Sequence, residues 1–413
     1  MARRVAAPVL DVTAADWRRA FMIAAIAAAI FLLVGRASGT LDVAGGFGWD
    51  GVAYAHMVTD SLRAGTGNTA MRPLVILAVR VPYSLGAGLL TSFRDVNLIS
   101  AAALFVVVVL LLARRGASPL VQAVVPINLA LCIATSKMFG FYPALIDLGA
   151  LAVIAIAFYL AGSEEHVLTA VACVAAAFSR EFSMAVVLYG VHRAVRLRRP
   201  WRETAAVYLP ALLVPLILRI PAFGFVPATS GPSTLANAIA GARMLTGESY
   251  LAAFGYFTAT LFGGLSLFLI VRLPACVRSV RREPELLTYL VVVFALAVAA
   301  GVDIWRYTVF SLPAVIVLAA DCFQDVDRPT SRALAVAILA ITVLTQRPLE
   351  RMTTDRYFRD WFPTYLMSSS GPEREELFRV WWPRLVSIPL CGFGLAAVLY
   401  LRRPNYPRVV STE

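Results

Sequence analysis

The stretch FMIAAIAAAIFLLVG, residues 21–35, decides the class of this chain. It carries no charge, and it follows a basic N-terminus that runs from MARR to DWRRA. With its flanks the run approaches the ~20 apolar residues that cross a bilayer. A secretory signal peptide opens in the same way. Comparable runs recur along the chain, however, so an uncleaved first span with a cytoplasmic N-terminus is expected.

Composition agrees. The 413 residues are 60% hydrophobic and only 15% charged, against roughly 25% charged in a soluble domain. The 23 Pro and 26 Gly lie scattered through apolar runs, where membrane helices tolerate them. The net charge of +12 rests almost wholly on Arg, with Lys137 the sole Lys. Nucleic acid is not the implied partner, because the Arg residues cluster in short loops between spans, as the positive-inside rule requires. The five Cys and three His show no disulfide or metal-ligand spacing.

Clear apolar runs cover 96–113, 119–136, 142–160, 203–220, 249–273, 286–302, 307–321, 332–346 and 384–401. Two segments are ambiguous. One is 73–90, interrupted by Arg80 and Pro82; the other is 166–195, with Ser179-Arg180-Glu181 at its centre. If both cross, there are about 12 spans and Arg114 and Arg115 face outside, against the charge rule. If 73–90 lies against the membrane and 166–195 is a re-entrant pair of short helices, there are about 10, and the Arg loops 114–115, 196–202, 278–282 and 401–404 share the inner face. The second arrangement is the expectation. The fold class is therefore an all-α polytopic membrane protein of about 10–12 transmembrane helices, as one domain over 1–404 with a short cytoplasmic tail, 405–413. Loops 36–72, 221–248 and 347–382 lie outside. Residues 50–64 form an interfacial helix there, with Val52, Tyr54 or Ala55, Val58 and Leu62 roughly on one face.

Charge at membrane depth costs on the order of 3 kcal/mol per group on insertion scales, so each such group needs a partner or a purpose. Asp50, Arg72, Arg180, Glu181, Asp303 and Arg306 can all be drawn to the outer mouth, framed by Trp49, Tyr54, Trp305 and Tyr307; His56 lies nearby. A carboxylate can take a proton from an attacking hydroxyl. Arginines can hold a phosphate by two parallel bonds and stabilise it as it leaves. Together these suit glycosyl transfer from a lipid-phosphate sugar. Plainer readings stand beside this one: Asp-Gly is a turn former, Arg180 and Glu181 form a structural ion pair, Asp303 and Arg306 satisfy each other at i, i+3, and His56 is an interfacial side chain.

GGFGWDGVAYAHM (45–57), followed by MRPLVILAVRVP (71–82), resembles the first outer loop of GT-C superfamily integral-membrane glycosyltransferases. AFSREFSM (177–184) resembles a recurring Ser-Arg-Glu turn of that superfamily, and DIWRYTVFSLPAVIVLAA (303–320) its later helix. The resemblance implies a GT-C-like bundle in which Asp50 is the base of an inverting transfer. Arg72, Arg180 and Arg306 would bind the donor phosphate, with Trp49, Tyr54, His56, Glu181 and Asp303 in support. The donor would be a polyprenyl-phosphate sugar and the acceptor a cell-envelope glycan or lipid, at the outer face of the plasma membrane. No organic cofactor is implied, and one Asp without a close second carboxylate does not indicate a divalent ion. The competing functions are a transporter or flippase of a lipid-linked saccharide and an inactive scaffold of the same fold.

Overall fold

A computed structural model describes residues 11–48, 50–64, 72–163, 165–218, 261–300, 304–352 and 386–400 except 389, with five further positions between 236 and 243. Trp49, Asp303, the loops 221–248 and 347–382 in large part, and the tail lie outside the described residues, as does the side chain of Trp305.

The described chain is helical, and it is a multi-pass membrane protein. Helix α1 (Ala14–Ser38) begins where Thr13 and Asp16 form a reciprocal cap: the Asp16 N–H donates to Thr13 Oγ1 and the Thr13 N–H to the Asp16 carboxylate. Next come α2 (Asp50–Thr59), α3 (Pro73–Ser84) and α4 (Leu89–Arg114), then α5 (Pro119–Leu131) and α6 (Met138–Phe141). They are followed by α7 (Asp147–Ala161), α8 (His166–Ser179), α9 (Ser183–Arg196) and α10 (Trp201–Leu218). The later helices are α11 (Gly264–Val271), α12 (Leu273–Arg282), α13 (Pro284–Ala299), α14 (Ile304–Tyr307), α15 (Leu312–Gln324) and α16 (Arg328–Gln346). Among the described residues, helices α1, α4, α10 and α16 are each long and apolar enough to cross a membrane, and α5 with residues 133–141, bent by 65°, is either a broken fifth span or a re-entrant pair. The remaining apolar helices are shorter.

Several sequence-based boundaries shift for physical reasons. The run 119–136 breaks at Cys132, whose backbone turns extended, and a π turn covers Ile133–Lys137. Lys137 is fully buried there and donates to the Arg347 carbonyl at 2.8 Å. The interfacial helix ends at Thr59, with a 3₁₀ turn over Leu62–Ala64. Twelve residues give α3 a length of about 18 Å, short of the ~30 Å hydrocarbon core. Arg80 does not sit naked in it: Nε and Nη2 donate to the Met57 carbonyl, fastening α3 to the end of α2. The 166–195 run breaks into α8 and α9 at Arg180–Phe182.

Three helices share one direction. Asp147 opens α7, Glu181 precedes α9 and Arg306 precedes α15. At the far ends, Arg114 donates to the Tyr159 carbonyl at 2.7 Å, Arg196 pairs with Glu285 at 2.6 Å, and Asp321 accepts from Ser279. With 13 to 15 residues each, these helices hold two polar layers about 20 Å apart. In the far layer Arg115 grips Glu283, Arg193 and Arg196 hold Glu285, and Arg272 and Arg278 hold Asp325. The Arg115–Glu283 pair puts loops 114–115 and 278–283 at the same end of the bundle, as the ten-span arrangement requires.

Helix α4 runs between α1, α3, α5 and α7 and is the most enclosed of the long helices. Closeness near the site is set where α1 meets α6. A Cβ on Gly140 would lie 2.3 Å from the Gly35 Cα. Neither backbone can yield cheaply, so Gly140→Ala should cost about 1–3 kcal/mol of stability by overpacking. Thermal unfolding in detergent, compared with an exposed Gly394→Ala control, measures it.

Candidate functional site

The first loop is fastened before it reaches Asp50. The Leu41 N–H donates to the Phe141 carbonyl at 2.8 Å, and the Gly51 N–H to the Tyr142 hydroxyl at 3.1 Å. Gly48 has φ +63° and lies so close to the Tyr142 ring that a Cβ would stand 2.5 Å from it. A Cβ on Gly51 would stand 2.5 Å from the Ala144 Cβ. The two glycines around Trp49-Asp50 are thus needed for close approach, one of them also for its left-handed backbone. Asp50 then opens α2, where the helix dipole favours a carboxylate.

Six of the expected site residues converge here: Asp50, Tyr54, Arg72, Arg180, Glu181 and Arg306. Arg72, at the N-terminus of α3, grips Glu181 through Nη2 at 2.9 Å and Nε at 3.3 Å, and its Nη1 donates to the Tyr54 hydroxyl at 3.1 Å. Arg180 lies on the turn after α8, with Nε 3.8 Å from Glu181. Arg306, on α14, places Nη2 3.6 Å from Asp50. The three arginines are buried, Arg180 completely, whereas the side chains of Asp50 and Glu181 remain 46% and 43% exposed. Cations therefore form the floor and two carboxylates the rim. Glu181 sits on the turn between helices. Desolvation opposes its ionisation, but Arg72 and then Arg180 outweigh this and hold the carboxyl down to about 2. It stays an anion across the physiological range and is poorly suited to taking up a proton.

The centre is a residue that sequence reasoning missed. Asp147, the first residue of α7, is 1% exposed and bridges two arginines. Its carboxylate contacts Arg180 Nη1 and lies 3.2 Å from Arg306 Nε. Both guanidiniums also lie 4.9 Å from the Tyr307 ring centroid, within cation–π reach. Phe182 stacks on Phe310 at 4.5 Å and closes the floor. A signal was present: IDLGALAVIAIAFYL puts one carboxylate at the start of an otherwise apolar run, where charge demands a partner.

His56 does not join the cluster. Its Nδ1 lies 3.1 Å from Asp60 on the exposed side of α2. Arg180 and Glu181 are not mainly each other's partners, because Asp147 and Arg72 stand closer. Arg306 turns to Asp147 and Asp50; its expected partner Asp303 lies outside the described residues. Among the described residues, no three His, Cys, Asp or Glu side chains gather where they could hold a metal ion.

No family model and no curated protein matches the chain. Its structure does match a solved one, ArnT from Cupriavidus metallidurans bound to undecaprenyl phosphate. The TM-score is 0.50 at 14% identity, over 94% of this chain and 77% of that one. The chain shares the polytopic helical fold of that structure. At that identity the likeness is one of architecture, and it agrees with the all-α polytopic bundle expected from the apolar runs. Within this fold the cluster sits where the first loop, the α8–α9 turn and α14 meet.

Two outcomes test how the cluster is held. Gly51→Ala should destabilise the chain by about 1–3 kcal/mol and displace Asp50, and Ala144→Gly in the same chain should restore thermal stability by removing the colliding methyl. Asp147→Asn leaves two buried guanidiniums without their shared anion. It should cost about 3–5 kcal/mol, the range for breaking a buried pair, as read by thermal unfolding in detergent.

Proposed function

We propose that the protein is a membrane glycosyltransferase that moves a sugar from a polyprenyl-phosphate carrier to a hydroxyl of a cell-envelope glycan or lipid. The observation that carries this reading is the vertical order of charge: a half-exposed Asp50 at the rim and three buried guanidiniums beneath it. The acceptor oxygen attacks the anomeric carbon and its proton passes to Asp50. The bond from that carbon to the phosphate oxygen breaks, and its electron pair leaves with the phosphate. Arg306, Arg180 and Arg72 meet the growing negative charge, and their planar forks suit phosphate oxygens. The N-terminal ends of α7, α9 and α15 are gathered at the same layer, and their dipoles add positive potential there. Attack opposite the leaving group inverts the anomeric centre.

The far layer, rich in Arg, fits the inner face under the positive-inside rule. This supports a site at the outer mouth of the plasma membrane, where a carrier lipid can enter sideways. The undecaprenyl phosphate in the ArnT structure supports a carrier of that class. Transport of a lipid-linked saccharide is the second reading. It accounts less well for a carboxylate poised over cations at one end of the bundle, since carriers bind near the midplane.

Asp50→Asn preserves shape and loses the proton acceptor. Transfer from a synthetic polyprenyl-phosphate sugar in detergent should fall by roughly a hundred- to ten-thousand-fold, with thermal stability unchanged. Full activity in that variant would refute the assigned base.

A further inference from the structure

The charges of the cluster are balanced by protein groups alone. Three guanidiniums (Arg72, Arg180, Arg306) face three carboxylates (Asp50, Asp147, Glu181), so the resting site is neutral. An incoming phosphate brings at least one more negative charge into a layer whose cations are desolvated. Like charges held there repel strongly. One carboxylate must therefore give way.

The geometry selects which one. Asp147 is 1% exposed and enclosed by both of its arginines, so it has nowhere to go. Asp50 lies 3.6 Å from a single Arg306 nitrogen, beyond hydrogen-bond reach, and holds no guanidinium face. Glu181 differs from both. It presents two oxygens to one guanidinium, at 2.9 and 3.3 Å, in the paired manner of a phosphate, and its side chain is 43% exposed. It sits on a three-residue turn rather than within a helix. Behind it, Arg180 is fully buried and its Nη2 has no hydrogen-bond partner among the described residues.

We infer that Glu181 is a stand-in for the donor phosphate: it occupies the phosphate's place on Arg72 in the empty site and swings outward when the phosphate binds. This rests on the glycosyltransferase reading and adds a positioning residue to it. Glu181 keeps Arg72 aimed while the site is empty, so that the fork is preset when the lipid arrives. Its charge also competes with the ligand, so affinity is held below what three arginines would give. Arg180, whose Nε lies 3.8 Å from Glu181, is the next guanidinium the phosphate meets. After the swing the cluster carries one net positive charge, which a phosphodiester neutralises.

The test uses the full chain in detergent with short-chain polyprenyl phosphate as the probe. Glu181→Gln keeps the shape and one acceptor oxygen but removes the competing charge. It should bind the probe about tenfold tighter or more, a shift readily measured as a change in Kd. Glu181→Asp retains the charge and should stay near wild type. A second measurement needs no variant: carbodiimide labelling of Glu181 in the wild-type chain, read by mass spectrometry, should rise when the probe is added. Inorganic phosphate run in parallel separates recognition of the lipid from that of the anion alone, with increased labelling by either one supporting the exchange. If wild type binds the probe and Glu181→Gln binds it equally or more weakly, or if bound probe leaves Glu181 labelling unchanged or lowers it, the exchange is wrong and the functional reading stands. If neither protein binds it, both fail.

Discussion

A single buried carboxylate holds the candidate site together. Asp147 lies between Arg180 and Arg306, and without it two desolvated guanidiniums would face each other around the Tyr307 ring. Burying one unpaired ion costs several kcal/mol even after relaxation. The α8–α9 turn, α14 and the start of α7 are thereby tied to one another. Everything above them, including the first loop with Asp50, is built on that floor.

The floor also explains why helices so short can be used here. Helices α7, α9 and α15 span about 20 Å rather than a full membrane. They begin at one polar layer and end at another, so the bundle is closed at both ends by ion pairs. The far layer is bound by Arg115–Glu283 and by Glu285 held between Arg193 and Arg196. The layer at the candidate site is charge-balanced by three guanidiniums and three carboxylates. One layer is suited to holding the bundle, the other to receiving an anion.

The glycines of GGFGWDG serve that second layer by proximity more than by flexibility. Gly48 and Gly51 press the loop against Tyr142 and Ala144, and the Gly51 N–H finds the Tyr142 hydroxyl. The lone Asp between Trp and Gly is thus held over Arg306, where its side chain is half exposed.

The sequence by itself determined the class and the cast. Long uncharged runs have no stable place outside a membrane, and Arg bias orders their loops, so the polytopic bundle was legible. Charges in such a chain are few and expensive, which singled out Asp50, Arg72, Arg180, Glu181 and Arg306. Pairing was not legible. Asp147 to Arg306 and Arg72 to Glu181 join residues more than a hundred positions apart, and no local periodicity encodes such contacts. Neighbours in sequence suggested Arg180 with Glu181 and Arg306 with Asp303. Folding instead gave Arg180 to Asp147 and Glu181 to Arg72, because in a desolvated layer each charge takes the best-placed opposite charge that packing brings near, whatever its position along the chain.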